Sequence, residues 1–454
     1  METKFDTIIL GAGITGLATA HFLKKENKTF QVIETSNRCG GAINTISEGE
    51  FIYEYGPNTG TISNAEILEL FQDLHQTCEI EKAQEASKKR LILKNNTWHA
   101  LPSGLLTGIS TPLFSAKDKL RLLAEPFRTA GTDEFETIET LVKRRLGISF
   151  LNYAVDPFIS GIFAGNPAQL VTKYALPKLY NLEQEYGSFI KGSYKKSKLP
   201  KTEAEKKITK EIFSCKGGLH SLIKALELSI GYQNIKLNEQ NYTISKTDTI
   251  YRIKTADAVL ECTNLISTFN NNALSNIFPF IDNESLSKIN DVDYAPVIEI
   301  ALGFNSWNGM PLNAFGGLIP TVENKQILGI LFMSSLFKNR APENGALFAV
   351  FMGGMKKQEL INLSNKEILI IIEQYFKDVM GISSFNPDLV KIQKHNKAIV
   401  QYDYKCKERF EIINKIENQH KGFHFGGSLI DGVSLADRIK QAKKLAMRVC
   451  ATTS

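Results

Sequence analysis

The chain has 454 residues, of which 43% are hydrophobic and 22% are charged, and its formal net charge is +6. At about 150 residues per domain, this length suggests roughly three structural units. The composition excludes wholesale disorder and fibrous repeats, and the charge excess is too small to indicate nucleic-acid binding. The six cysteines form no CxxC pair. We therefore expect neither a disulfide framework nor a metal site, and a reducing, cytoplasmic setting fits best.

The N-terminal segment carries the first chemical signature. An apolar, β-branched run at residues 5–10 predicts a buried parallel strand. It is followed by GAGITG at residues 11–16, a helical pattern, and a second apolar run at residues 30–33 that ends on Glu34. Glycines at this spacing allow a tight turn, close approach of a pyrophosphate and close helix packing, and the acid can bind ribose hydroxyls. We therefore predict a dinucleotide site, with a chemically silent glycine turn as the alternative.

A second glycine turn indicates which dinucleotide binds. Residues 38–41 (RCGG) offer a cation and another close backbone approach. Flavoproteins use such a turn for the far half of FAD, whereas simple nicotinamide enzymes do not need it. Residues 56–58 (GPN) predict a further turn, near the flavin ring system. At residues 423–437, a strand, a glycine turn and a helix are predicted, and this helix supplies a second N-terminus. Non-covalent FAD is the predicted cofactor, although the C-terminal pattern also occurs as an ordinary connection.

The predicted FAD site draws on all of these segments. The predicted contacts are Gly11, Ala12, Gly13, Thr15, Gly16, Glu34, Arg38, Gly40, Gly41, Gly56, Pro57, Asn58, Ile235, Gly427 and Val433.

The middle of the chain predicts two further parts. Residues 116–147 have a helical pattern, and the lysine-rich residues 191–211 predict an exposed loop leading into a helix. Alternating apolar and glycine-rich segments at 297–354 predict an antiparallel sheet with one face on a cavity. The predicted fold class is α/β: a discontinuous Rossmann-like FAD-binding domain, an inserted α+β substrate domain, and a helical membrane-type subdomain. Expected ranges are 1–75, 205–275 and 390–454 for the first, 76–93 and 276–389 for the second, and 94–204 for the third.

The chain resembles the FAD-dependent protoporphyrinogen/coproporphyrinogen oxidase family, within the amine-oxidase-like flavoproteins, over essentially its whole length. Beyond the glycine motifs, the resemblance rests on residues 156–167 (DPFISGIFAGNP), 315–320 (FGGLIP) and 351–354 (FMGG). Val400 stands where the family more often has proline. The resemblance implies FAD- and dioxygen-dependent, six-electron oxidation of a porphyrinogen in haem biosynthesis, with protoporphyrinogen IX preferred and coproporphyrinogen III as the alternative.

The resemblance also implies contacts to a tetrapyrrole substrate. The implied contacts are Arg90, Leu318, Leu331 and Phe351, with the backbone of Gly161 lining the catalytic cavity. A guanidinium binds a propionate bidentately, and an apolar slot suits a flat macrocycle. From the residues alone, Arg90 also fits a solvated surface residue, the apolar side chains fit core packing, and Gly165 competes with Gly161.

Residues 98–128 mix large apolar side chains with lysines and arginines, a pattern that can lie in a bilayer interface. The resemblance favours peripheral attachment to an anionic membrane surface, on the inner face of the cell membrane. It also allows a ferrochelatase-type neighbour as a partner, and no nucleic-acid partner is expected. The alternative is a helical subdomain that covers the substrate cavity.

Two other functions stay open on the sequence. An amine or polyamine oxidase shares the fold but would call for an aromatic cage and a covalent flavin, and Cys406 lies in YKCKE, unlike the usual attachment context. A non-catalytic flavin- or haem-binding protein is the second alternative. The sequence assigns no proton acceptor and does not set the oligomeric state.

Overall fold

A computed structural model describes residues 2–269 and 277–452 of the chain. The strands of this part are β1 (Glu2–Leu10), β2 (Phe30–Ile33), β3 (Thr45–Glu48), β4 (Phe51–Glu54), β5 (Gly60–Thr61), β6 (Ile80–Lys82), β7 (Arg90–Lys94), β8 (Thr97–Ala100), β9 (Ile212–Cys215), β10 (Ile235–Lys236), β11 (Thr243–Thr247), β12 (Ile250–Lys254), β13 (Val259–Ser267), β14 (Tyr294–Phe304), β15 (Gly316–Leu318), β16 (Ile327–Phe332), β17 (Ala346–Gly353), β18 (Leu389–Val400) and β19 (Phe423–Phe425).

The α-helices of the same residues are α1 (Ile14–Lys25), α2 (Ala65–Asp73), α3 (Leu105–Ser110), α4 (Ala116–Leu123), α5 (Ile138–Arg145), α6 (Ile148–Phe150), α7 (Asp156–Phe163), α8 (Thr172–Ala175), α9 (Pro177–Tyr186), α10 (Phe189–Lys198), α11 (Glu203–Lys206), α12 (His220–Ile230), α13 (Asn283–Asn290), α14 (Met333–Leu336), α15 (Asn365–Val379), α16 (Cys406–Gln419) and α17 (Leu435–Thr452).

The first large sheet has the strand order β10-β2-β1-β13-β12-β11, with β19 paired to β13. The strands β10, β2, β1, β13 and β19 are parallel, so their carboxyl ends meet at one edge. Ile8, Ile9 and Leu10 are fully buried, as expected for a central strand that is covered on both faces. Core residues of α1, α12 and α17 pack together on one of these faces.

The second large sheet has the order β18-β14-β17-β16-β15-β7-β8 and is antiparallel except between β15 and β7. Ile368, Ile372 and Phe376 of α15 cover one face. The other face turns towards the β3–β4 hairpin and α7, because Ala301 belongs to the same core cluster as Tyr53 and Val297 to the same cluster as Ala164. The antiparallel sheet predicted for residues 297–354 is confirmed, and so is the mixed α/β class.

The helical region differs from the sequence prediction in two places. The helix predicted over residues 116–147 is interrupted, because α4 ends before Pro126 and α5 begins only at Ile138. The lysine-rich stretch predicted as a loop is helical up to Lys198. Ser188 caps this helix, and the ring of Phe189 lies 5.3 Å from the Arg145 guanidinium. Lysine has good helix propensity, so a capped first turn anchored by Phe189 is compatible with a helix in this polar segment.

Candidate active site

The first glycine turn joins β1 to α1 at the carboxyl edge of the first sheet. Gly11 has φ +104°, a conformation that favours glycine, and its N–H donates to the carbonyl oxygen of Ile33 at 2.7 Å. Ala12 and Thr15 are buried in the same turn. A Cβ atom on Gly16 would lie 2.0 Å from the carbonyl oxygen of Gly11. Only glycine at position 16 therefore lets α1 pack this closely on the end of β1.

Space for a ligand lies in front of the N-terminus of α1. Gly13 is the N-cap residue, and no side chain caps the first turn of this helix. A Cβ atom on Gly13 would have no heavy atom within 4 Å. Free amide groups and the positive end of a helix dipole bind phosphate groups. The open space and the uncapped helix both fit the diphosphate of FAD.

Glu34 lies beside this turn, just after β2. Its Oε2 accepts a hydrogen bond from the N–H of Ala12 at 2.7 Å, and its Oε1 accepts one from the N–H of Ser36 at 2.9 Å. Ile235 pairs with β2, and the N–H of Glu34 donates to the carbonyl oxygen of Lys236 at 2.8 Å. Oε1 also accepts from the Thr35 hydroxyl at 3.3 Å, so the further lone pair is on Oε2. The half-buried Glu34 can therefore still accept a hydrogen bond from a ribose hydroxyl.

The second glycine turn lies directly against the first. Gly40 pairs with Gly13, and a Cβ atom on Gly41 would lie 3.4 Å from the Gly13 Cα. The guanidinium of Arg38 donates to the carbonyl oxygen of Gly41 at 2.7 Å and to two neighbouring carbonyl oxygens at 3.1 Å. Arg38 therefore holds this turn together, and a direct contact between Arg38 and FAD stays a prediction.

The C-terminal glycine turn reaches the same edge of the sheet from β19. The N–H of Gly427 donates to Oε1 of Gln441 on α17 at 2.7 Å. The hydroxyl of Tyr402 donates to two carbonyl oxygens of the turn at 2.6 and 2.8 Å. Val433, half-buried, lies just before α17. The turn is thus fixed from two sides, with Val433 at the helix N-terminus as the sequence predicts.

The turn at residues 56–58 connects this edge to the second sheet. The N–H of Gly56 donates to Oε2 of Glu299 at 2.6 Å, and Nδ2 of Asn58 donates to Oε1 of Glu299 at 2.6 Å. Glu299 lies on β14 and is 2% exposed. Pro57 lies between the two donors. A single buried carboxylate therefore ties the predicted cofactor turn to the predicted substrate sheet.

Cross-strand register places the four predicted substrate contacts on one face of the second sheet. Paired residues of neighbouring strands share a face, and so do rows two residues apart. The two adjacent rows are Leu318, Gly329, Phe351 and Glu299 in one, and Arg90, Gly316, Leu331 and Ala349 in the other. These predicted contacts are brought together, on the same face as the carboxylate that binds the cofactor turn.

Arg90 and Gly161 lie at two borders of this face. Arg90 is exposed, its guanidinium lies 5.6 Å from the centre of the Phe315 ring, and it forms no ion pair with any described residue. A Cβ atom on Gly161 would lie 2.7 Å from Cδ2 of Leu318. Helix α7 therefore packs directly on the face, and Leu318 fills the space beside Gly161. The role of the Gly161 backbone stays a prediction.

A family model described as flavin containing amine oxidoreductase matches residues 14–449. The chain belongs to this family. It is therefore an FAD-dependent oxidoreductase.

Relatives of this flavin oxidoreductase include a protoporphyrinogen oxidase and a coproporphyrinogen III oxidase. It is 28% identical to protoporphyrinogen oxidase 2, chloroplastic/mitochondrial, of Arabidopsis thaliana, over 96% of this chain and 92% of that protein. It is 25% identical to coproporphyrinogen III oxidase of Bacillus subtilis (strain 168), over 97% of both. A solved structure from Exiguobacterium sp. 255-15 has a TM-score of 0.80 at 21% identity, over 99% of both chains. Putrescine oxidase bound to putrescine has a TM-score of 0.71 at 14% identity, over 99% of this chain and 100% of that one; these two structures share the fold.

Sequence reasoning missed three residues that build the site of this flavin oxidoreductase. Thr268 donates to the carbonyl oxygen of Leu10 at 2.9 Å and lies beside both Gly11 and Gly426. Tyr402 holds the C-terminal turn, and Glu299 holds residues 56–58. Their side chains act on segments that are distant in sequence, so no local pattern marks them. An acid in the otherwise apolar run of β14 was the one available signal.

The buried Glu54 predicts a pH dependence of stability. It accepts hydrogen bonds from the N–H of Leu219 at 2.9 Å and from the hydroxyl of Thr45 at 2.7 Å. Burial raises its pKa to about 7, although these hydrogen bonds oppose the rise. Because the folded state then binds more protons than the unfolded state, the free energy of unfolding should fall as the pH rises from about 4.5 to 7, by up to about 3 kcal/mol. Urea unfolding at pH 5 and pH 8 measures the change.

Glu54→Gln should remove this pH-dependent contribution, because glutamine does not titrate. Glu50→Gln, an exposed position in the turn of the same hairpin, is the matched control and should behave like the wild type. Equal pH dependence in Glu54→Gln and the wild type would show that Glu54 is not the titrating group.

Proposed function

We propose that this flavin oxidoreductase oxidises a porphyrinogen to the porphyrin in haem biosynthesis, with protoporphyrinogen IX as the preferred substrate and coproporphyrinogen III as the alternative. One observation carries the proposal: cross-strand register places Arg90 at the border of an apolar face of the second sheet. That face contains Leu318, Leu331 and Phe351. Such a face suits a flat, apolar ring with anionic side chains. The names of the two relatives agree with this substrate class.

In this proposal, the residues of the chain bind, orient and shield the substrate. The glycine turns at residues 11–16, 38–41 and 426–433 hold FAD, with Glu34 on the ribose. When bound, FAD would supply the acceptor for a hydride from a carbon–hydrogen bond of the substrate, with dioxygen as the final oxidant. The guanidinium of Arg90 fixes a propionate, and the apolar rows exclude water from the macrocycle.

We also propose the domain division expected from the sequence. The first sheet supports it, because its strands come from residues 2–33, 235–267 and 423–425. Two strands fall outside the range expected for the substrate domain. β8 lies within the expected helical range but pairs with β7, and β18 lies almost wholly within the expected FAD range but pairs with β14, so both belong to the substrate sheet. The inserted substrate domain would then include these two strands.

Arg90→Ala tests the substrate face. Loss of a charge-assisted hydrogen bond to a propionate is worth about 1.5–3 kcal/mol, so KM for a porphyrinogen should rise about 10- to 100-fold with kcat little changed. Porphyrin fluorescence appearing from a colourless porphyrinogen measures both. Arg90→Lys is the control that keeps the charge but loses the bidentate geometry, and it should fall in between.

The same assay decides among the candidate functions. If the wild type retains FAD but forms no porphyrin from either porphyrinogen, the proposed function fails. An amine oxidase, tested by peroxide formation from amines, and a non-catalytic flavin-binding protein would then remain.

We further propose that the helical region rests on the inner face of the cell membrane. Leu106, Ile109 and Phe127 are 82%, 63% and 86% exposed, and Lys191 lies 5.4 Å from the Phe127 ring. Exposed apolar side chains with adjacent lysines suit an anionic bilayer interface. Among the described residues, no helix is long and apolar enough to cross a membrane. Attachment would therefore be peripheral, and a ferrochelatase-type neighbour could take up the product there.

Vesicle flotation tests this attachment. The triple variant Leu106→Ser, Ile109→Ser and Phe127→Ser should bind vesicles that contain phosphatidylglycerol at least about tenfold more weakly, because it withdraws three apolar side chains from the bilayer. Ile370→Ser is the control, since Ile370 is 57% exposed on α15, away from this surface. Equal flotation of the triple variant and the wild type would contradict attachment through this surface.

A further inference from the structure

The face that carries the predicted substrate contacts has a cation near one end and a buried anion near the other. Arg90 lies on β7 and Glu299 on β14, and the strands between them are β15, β16 and β17. Four strand spacings of about 4.8 Å separate the two residues by about 19 Å. The residues between them in the two rows are apolar or glycine: Gly316, Leu318, Gly329, Leu331, Ala349 and Phe351.

Both carboxyl oxygens of Glu299 accept hydrogen bonds. Oε2 accepts from the N–H of Gly56 and Oε1 from Nδ2 of Asn58, both at 2.6 Å. Two N–H donors, one on each oxygen, suit the acceptor-only carboxylate form of a glutamate.

The charge of Glu299 is not neutralised by a strong ion pair. Within the described residues, the one basic side chain within 4.0 Å of its carboxylate is His395, whose Nε2 lies 3.7 Å from Oε2, is buried and makes no hydrogen bond. Lys391 lies on β18, at the end of the row next to that of Glu299. Its ammonium group is already paired with Glu48 at 2.8 Å. The far end of the face thus presents a buried negative charge.

We infer that Glu299 is a specificity-determining residue that orients the porphyrinogen and disfavours carboxylates at the far edge of the macrocycle. The inference rests on the proposed function. Protoporphyrinogen IX has its propionates on one edge and vinyl groups on the other, so it can place its propionates at Arg90 and its apolar edge beside Phe351. Coproporphyrinogen III carries two more propionates in place of the vinyl groups. In the same orientation these two lie at the end of the face that contains Glu299, and its buried charge repels them because little water screens it.

Glu299→Gln tests this role, because it removes the charge and keeps the shape. We expect the ratio of kcat/KM for coproporphyrinogen III to that for protoporphyrinogen IX to rise at least about tenfold. Dissociation constants of the product porphyrins, coproporphyrin III and protoporphyrin IX, measured by equilibrium dialysis, should shift in the same direction without any turnover. An unchanged ratio in both measurements overturns the inference.

Two further variants keep the test decisive. Glu299→Asp retains the charge and should keep the wild-type ratio of dissociation constants even if FAD binding weakens; a shift in this variant as large as in Glu299→Gln would overturn the inference. Glu261→Gln removes a buried glutamate of β13, which pairs with Arg252 away from this face, and should leave the ratio unchanged. If the wild type oxidises and binds neither tetrapyrrole, the proposed function itself fails, which is a different result from an unchanged ratio.

Discussion

Replacing Arg145 with methionine is expected to lower the free energy of unfolding of the helical region by about 3–5 kcal/mol. Arg145 is 0% exposed, and its guanidinium donates to Oε1 of Glu183 at 2.6 Å and to Oε1 of Glu125 at 2.9 Å. Both carboxylates are buried as deeply, with side chains 1% and 0% exposed. Methionine fills much of the space but leaves the buried Glu125 without its cation, whereas Glu183 keeps its pair with Arg144 at 2.8 Å. An uncompensated buried charge is among the most destabilising changes in a protein core.

Urea unfolding and amide hydrogen exchange of α5, α9 and α10 measure this loss. Lys143→Met on the same helix is the matched control. Lys143 pairs with Glu139 at the surface, with side chains 47% and 31% exposed. Surface pairs of this kind contribute less than about 0.5 kcal/mol. Equal destabilisation by Arg145→Met and Lys143→Met would show that the buried ion pairs of Arg145 do not stabilise the fold more than a surface pair does.

Gly13→Ala is expected to leave the fold intact and to remove most of the bound FAD. The added methyl group meets no protein atom within 4 Å, so the polypeptide does not have to move. It instead occupies the open space in front of α1 that fits the diphosphate. A ligand that binds only the folded state raises its stability in proportion to the logarithm of ligand concentration over Kd. We expect FAD to raise the Tm of the wild type but not that of Gly13→Ala.

The flavin absorbance of the purified protein and its thermal unfolding with and without FAD are the measurements. Gly108→Ala is the control, because a Cβ atom there also has no heavy atom within 4 Å, far from the glycine turns. Gly16→Ala makes the contrasting case, since its Cβ atom would lie 2.0 Å from the Gly11 carbonyl oxygen and should disturb the fold itself. Full FAD content in Gly13→Ala would show that the diphosphate does not lie against this turn.

The glycine turns at residues 11–16 and 38–41 were predictable from the sequence, whereas their contacts with FAD stay a prediction. Strand, glycine turn and helix are contiguous, and the conformation of each glycine depends on its immediate neighbours. Gly11 at φ +104° and Gly40 at φ +104° lie in the turns that the spacing predicts. The family resemblance added Arg90, Leu318, Leu331 and Phe351, which no local pattern would have joined.

One local prediction was wrong because composition does not show capping or packing. The lysine-rich segment, predicted as a loop, is helical up to Lys198; Ser188 caps this helix, and Phe189 in its first turn lies 5.3 Å from the Arg145 guanidinium. Arg38 donates to carbonyl oxygens of its own turn, and its contact with FAD stays a prediction. The partners Arg145 and Ile43 lie outside the short patterns from which these residues were interpreted.

Length alone suggested roughly three structural units, and the glycine motifs predicted a dinucleotide site in one of them. Only the folded chain showed that Glu299 meets Gly56 and Asn58, and that this carboxylate lies in the same row as Leu318 and Phe351. The physical reason is the distance along the chain over which the deciding interactions act. Backbone conformation in a turn depends on neighbouring residues, whereas a buried charge acquires its role from strand register and from donors that arrive from a distant part of the chain.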